Sequence, residues 1–131
     1  MVSPMEPPPR PTPAELEILR VLWTHGPSTV REVLERLEEQ RPTGYTTALK
    51  LLQIMADKGL VRRDESARAH VYAARMPEHE TQQQLVRDLV DRAFGGSASK
   101  LVLHALSTRK TPRAELARIR ELLDRLEGGE R

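Results

Sequence analysis

The densest group of side chains able to do chemistry in this sequence is Tyr45, Thr46, Thr47, Lys50 and Gln53, where hydroxyl, ammonium and amide groups follow one another closely. Short hydroxyls approach a surface closely, an ammonium meets a phosphate or a guanine, and an amide can pair with adenine. The set therefore suits hydrogen bonding to a nucleic acid rather than bond making. Two smaller groups could assist it. Ser28, Thr29 and Arg31 precede an apolar run and could seat a phosphate at a helix N-terminus, where free N–H groups and the helix dipole favour an anion. Arg62, Arg63, Arg68 and His70 lie together further on and could contact phosphates or a minor groove. The plainer alternative is that Thr46 and Thr47 only cap a helix and that the single charges are solvated.

Other chemistries find little footing. His25, His70, His79 and His104 lie far apart, and only His79 and Glu80 are adjacent ligand types, so no metal site is expected. The absence of cysteine removes disulfides, thiolate ligands, thiol nucleophiles and thiol redox sensing together. Serine, histidine and aspartate occur without a nucleophile motif or a glycine-rich phosphate loop, so neither an enzyme nor a cofactor is expected.

The elements that must position these residues follow from spacing. Thr12, Pro13 and Glu15 make a helix start, and Leu16, Leu19, Val21, Leu22 and Trp23 give that helix an apolar face before His25, Gly26 and Pro27 end it. A second start lies at Ser28 or Thr29, with Glu32 three residues beyond Thr29 and Val30, Val33, Leu34 and Leu37 inward, running to about Gln40. After a breaker at residues 41–44, Ala48, Leu51, Leu52 and Met55 predict a third helix from Tyr45 to Lys58, closed by Gly59. The period then changes, and two short runs carrying Val61, Val71 and Tyr72 around Ser66, Ala67 and Arg68 predict a hairpin.

Three helices followed by a hairpin is the order of a winged helix-turn-helix, assigned here to residues 12–76. In that fold the third helix enters the major groove and the hairpin flanks it, which puts the candidate residues on the elements that need them. Residues 1–11 carry five prolines and predict a disordered tail. Residues 77–131 predict three more helices: one with Leu85, Leu89 and Phe94, a break at Gly95 and Gly96, one with Leu101, and one with Leu116, Ile119, Leu122 and Leu126. With so few aromatics these stripes cannot easily form a core of their own, so they predict a homodimer. The fold class is thus mainly α with a small β-hairpin, a winged helix-turn-helix plus a C-terminal helical dimerisation segment.

Bulk properties agree. A chain of 131 residues, 38% hydrophobic, 31% charged and 3% aromatic, fits one small domain with a helical appendage. The formal net charge of +2 decides nothing by itself. Residues 43–63 hold four basic side chains against one acid, whereas residues 28–41 hold three arginines against four glutamates, so positive charge is local. No apolar run is long enough to cross a membrane and no signal peptide is visible, which places the chain in the cytoplasm.

The runs TPAELEILRVLW, STVREVLERL, YTTALKLLQIMADKGLV and HVYAA, continued by LVRDLVDRAFGGSASKLVLHAL, resemble the penicillinase-repressor family (BlaI, MecI and CopY types) over nearly everything after residue 11. The Gly95-Gly96 break followed by an apolar helix is the most particular part. The resemblance implies a homodimer that binds a two-fold symmetric double-stranded DNA operator and represses transcription, with Thr46, Thr47 and Lys50 where the recognition helix meets DNA. In the β-lactam-responsive members a sensor-protease pathway leads to cleavage at an Asn-Phe bond in the fifth helix; here His104 and Ala105 occupy that place, which argues against such control. A membrane sensor-protease gene beside this one would restore that pathway as a partner. Copper-responsive members use C-terminal cysteines, which this chain lacks. The rival of another class is a winged-helix protein-protein interaction module without specific DNA binding.

Overall fold

A computed structural model describes residues 10–38 and 43–129. Helix α1 is Pro13–His25, β1 is Ser28–Thr29, α2 is Val30–Glu38 and α3 is Tyr45–Lys58. Strands β2 (Val61–Asp64) and β3 (Val71–Ala74) follow, then α4 (Glu78–Ala93), α5 (Ala98–Thr108) and α6 (Arg113–Glu127). Most of the expected tail, the expected end of the second helix at Gln40, and Arg41 and Pro42 of the breaker lie outside the described residues.

The capping box of α1 is formed in both directions: the Glu15 N–H donates to Thr12 Oγ1 at 3.2 Å, and Glu15 Oε1 accepts from the Thr12 N–H at 2.9 Å. Thr29 and Glu32 repeat this at α2, at 3.2 and 2.9 Å. At the end of α3, Gly59 takes φ +83° and ψ 16°, a left-handed cap that a side chain would strain. The chain therefore turns at once from α3 into β2.

The expected hairpin gains a strand. The sheet order is β1-β3-β2, both pairings antiparallel, with Ser28 opposite Tyr72 and Arg63 opposite Tyr72 on its other side. A two-residue strand carries too little pattern to be read from sequence, since alternation needs at least four residues to show. It ties the link between α1 and α2 to Val71 and Tyr72, at the end of β3 next to the hairpin loop.

One core serves α1 to β3. Ile18, Leu22, Val33, Ala48, Leu52, Met55, Val61 and Tyr72 are buried there, with Leu16, Trp23, Leu34 and Leu51 half-buried around them. The Trp23 indole Nε1 donates to the Met76 carbonyl at 2.9 Å, which fixes the chain as it leaves β3. Glu15 is buried too, and its carboxylate takes the Lys58 ammonium at 2.7 Å. The first helix thereby grips the last turn of the third.

The chain divides into two compact units after Leu85, inside α4. Thr81 is buried within the first unit, and Leu85 lines a groove there with Leu16 and Trp23. In the second unit no described residue is buried. Its helices are nonetheless sharply defined: the Gly96 N–H returns to the Val90 carbonyl at 2.9 Å, and Ser97 Oγ accepts from the Lys100 N–H at 3.2 Å. The Phe94 and His104 rings lie 5.7 Å apart, tilted by 43°.

Candidate nucleic-acid interface

Helix α3 turns Ala48, Leu52 and Met55 into the core, so its opposite face is left to solvent by geometry alone. Thr46, Thr47, Lys50 and Gln53 are all exposed on that face. Lys50 has no ion-pair partner among the described residues. Asp57, also exposed, ends the stretch that would welcome a phosphate.

Tyr45 opens α3 and is 47% exposed, with the Arg31 guanidinium 6.0 Å above its ring. A cation over an aromatic face is attracted by the ring's quadrupole. The contact brings the first turn of α2 against the first turn of α3, a proximity that sequence spacing did not reveal. Thr29 spends its N–H on the Glu32 carboxylate and its hydroxyl accepts from the Glu32 N–H, so the start of α2 presents the Arg31 cation beside the exposed Glu32.

Ser28, expected beside them, lies elsewhere. It is 5% exposed and its hydroxyl donates to the Gly26 carbonyl at 2.8 Å, because β1 draws it into the sheet against Tyr72. Lys58 also leaves the basic set, since Glu15 holds it. Burial by itself would raise the Glu15 carboxyl, but the hydrogen bonds from Lys58 and Thr12 and the Lys58 charge outweigh it and hold the group below the usual carboxylate range. The positive charge that α3 offers to solvent therefore rests on Lys50.

On the hairpin, Arg62, Arg63, Arg68 and His70 are all exposed. Arg63 is partly committed: its Nε donates to Glu65 Oε2 at 2.7 Å, and the Tyr72 hydroxyl and the Glu65 charge raise its pKa further. Asp64 accepts from the Ser66 N–H at 2.9 Å, which turns the chain at the hairpin tip, and the hydrogen bonds from the Ser66 side chain and then its N–H hold the Asp64 carboxyl below its ordinary value. Arg62, Arg68 and His70 form no ion pair among the described residues. One exposed residue of α3 escaped sequence reasoning: Ile54, 39% exposed. Its position seven residues after Thr47, outside the apolar stripe, was the available signal.

Among the described residues no group of three or more histidine, aspartate or glutamate side chains could hold a metal ion. No helix among them is long and apolar enough to cross a membrane.

The expected dimerisation residues sort by exposure. Leu89, Leu122 and Leu126 are exposed, at 48, 48 and 65%, while Phe94, Leu101, Leu116 and Ile119 are half-buried in the second unit. Leu85 belongs to the groove of the first unit. Val86, Val102, Leu103 and Leu123, exposed and apolar, extend the stripes beyond the residues picked from the sequence.

Helices α1 to α3 with the three-stranded sheet form a winged helix-turn-helix, whose exposed third helix carries hydroxyl, amide and ammonium groups. The chain belongs to the penicillinase repressor family, whose model matches residues 11–125. It is 32% identical over 117 residues to the transcriptional regulator BlaI of Mycobacterium tuberculosis, covering 88% of this chain and 83% of that one. It is 22% identical over 111 residues to the penicillinase repressor of Bacillus licheniformis, covering 85% and 87%. A solution structure of the DNA binding domain of the repressor BlaI superposes with a TM-score of 0.50 at 27% identity, over 56% of this chain and 90% of that one. A solution structure of monomeric Bacillus licheniformis BlaI in complex with the blaP half-operator gives 0.50 at 26% identity, over 58% and 93%.

Proposed function

We propose that this protein is a transcriptional repressor that binds a two-fold symmetric operator in double-stranded DNA as a homodimer. The observation that carries the reading is the outward face of α3, where Thr46, Thr47, Lys50 and Gln53 stand exposed on the element that a winged helix lays in the major groove. Lys50 meets a phosphate or a guanine, Gln53 an adenine, and the threonines approach backbone or thymine. Tyr45, Thr29 and Arg31 flank this face, and Arg62, Arg68 and His70, with Arg63, contact the neighbouring backbone from the hairpin. That a relative has been solved in complex with a half-operator supports DNA as the ligand.

Dimerisation is supported by the second unit, whose Leu89, Leu122 and Leu126 are exposed with no core of their own. Two copies joined there present two α3 helices about one DNA turn apart, and the second half-site is then bound almost intramolecularly.

Mixed-sequence duplex DNA titrated at several salt concentrations tests the electrostatic part. The full chain should bind with an affinity that falls steeply with salt, and Lys50→Ala should lower the magnitude of the log–log slope by about one unit. A folded Lys50→Ala chain with unchanged affinity and slope would remove Lys50 from the interface. No binding by the native chain even at low salt would favour the protein-interaction module instead.

A further inference from the structure

On the outward face of α3 the residues beyond Tyr45 are polar, Thr46, Thr47, Lys50, Gln53 and Asp57, with the single exception of Ile54. A lone exposed apolar residue is ordinary on a protein surface. Its address makes this one informative. Thr47, Lys50 and Ile54 stand at i, i+3 and i+7, the series that a helix lying along a groove presents to successive bases. From Thr47 to Ile54 the helix rises roughly 10.5 Å, which matches about three base-pair steps.

We propose that Ile54 is a specificity-determining residue that reads the C5-methyl group of a thymine in the major groove; the inference rests on the reading of α3 as a DNA-recognition helix. A branched aliphatic chain has no hydrogen bond to offer a base edge, and thymine is the base that presents an apolar group there. Cytosine at the same place puts an amino donor against Ile54 and leaves it without an acceptor, so the residue selects against cytosine as well as for thymine. The polar residues around it set register and orientation; Ile54 decides one base.

The test uses the full chain and a pool of random-sequence duplexes, enriched in parallel on the native protein and on Ile54→Ala. The native chain should enrich a position as thymine that the variant leaves open. In the enriched duplex, replacing that thymine by deoxyuridine removes only the methyl group. Native affinity should then drop about fourfold, the factor carried by one buried methyl-sized group, while the variant should be almost indifferent. Equal losses for both proteins would overturn the assignment. So would unchanged base preference in a variant whose oligomeric state has shifted in sedimentation, which would make Ile54 a protein contact. Failure of the native chain to enrich any motif would overturn the underlying reading as well, and that result appears before any comparison with the variant. Ile54 is 39% exposed, so circular dichroism of the variant should match the native chain.

Discussion

The two units use similar material in opposite ways. From α1 to β3, leucines and valines at helical spacing are buried around Leu52, Met55 and Tyr72, and the fold closes on itself. From Val86 onward, leucines at the same spacing on α5 and α6 stay exposed or half-buried, and none is buried. The difference lies in what faces each stripe. The first unit has a sheet and three helices whose faces converge, together with the large side chains of Trp23 and Tyr72. The second has three amphipathic helices without extensive contact among them, and its one phenylalanine lies against His104. An apolar stripe with no partner in its own unit calls for one elsewhere, so the first unit is expected to stand alone and the second to depend on a second copy.

The strongest way to break this contrast is to remove matched leucines from each side. Leu52→Ala should destabilise the first unit by about 2–5 kcal/mol, because its site is fully buried and walled by Ile18, Met55 and their neighbours. Leu103→Ala, at 65% exposure, should leave thermal unfolding of the first unit unchanged. Comparable losses of melting temperature from both would show that the second unit has a closed core after all.

Next in size is the proposed dimer. Leu126→Asp places a carboxylate on the apolar stripe of α6 and should weaken self-association by several kcal/mol, roughly the cost of an unpaired charge in an apolar interface. Leu122, one helical turn away at i−4, should respond alike. Sedimentation should show monomers at micromolar concentration, while circular dichroism of the winged helix persists. A mutant that remains dimeric would move the contact to the Leu89 and Phe94 side.

A smaller effect sharpens the account of the first unit. Glu15→Gln keeps a capping side chain on Thr12 but removes the charge that Lys58 answers, and should cost about 1–2 kcal/mol at neutral pH. The Glu15 carboxyl is held below its ordinary value in the folded state. Its contribution is therefore complete above the unfolded value of about 4.3 and fades as pH falls through the folded one. Denaturant titrations between neutral pH and acid should show the native chain losing more stability than the variant. Parallel pH profiles would mean that the pair adds nothing to the fold.

The smallest effect belongs to the hairpin. Arg63→Ala breaks an exposed, solvent-screened pair with Glu65 and should leave the melting temperature almost unchanged. Its effect on the salt dependence of DNA binding should exceed its effect on melting, and the reverse ranking would make Arg63 a structural residue of the hairpin.

Much of the fold was legible because it is written in local signals. Both capping boxes, Pro13 at a first turn and Gly59 past a last one announce where helices start and stop, and those groups act within a few residues of their own backbone. The outward face of α3 was legible for the same reason: once Ala48, Leu52 and Met55 are assigned inward, helical geometry sends Thr46, Lys50 and Gln53 the other way. What escaped is long-range. Lys58 counted as a free cation until Glu15, 43 residues earlier, was found against it. Ser28 read as part of an anion seat until a strand too short for periodicity turned it inward. Arg31 and Tyr45 have no relation in sequence that would place one above the other.

By itself, then, the order of amino acids determined the helices, their buried faces and the family to which the chain belongs, since propensity, capping and periodicity operate over a few residues at a time. Tertiary structure alone decided that Lys58 is spent on Glu15 and that Arg31 stands over Tyr45. Where the partner lies far along the chain, a charge is free or spent according to what packing rather than spacing brings within about 3 Å of it.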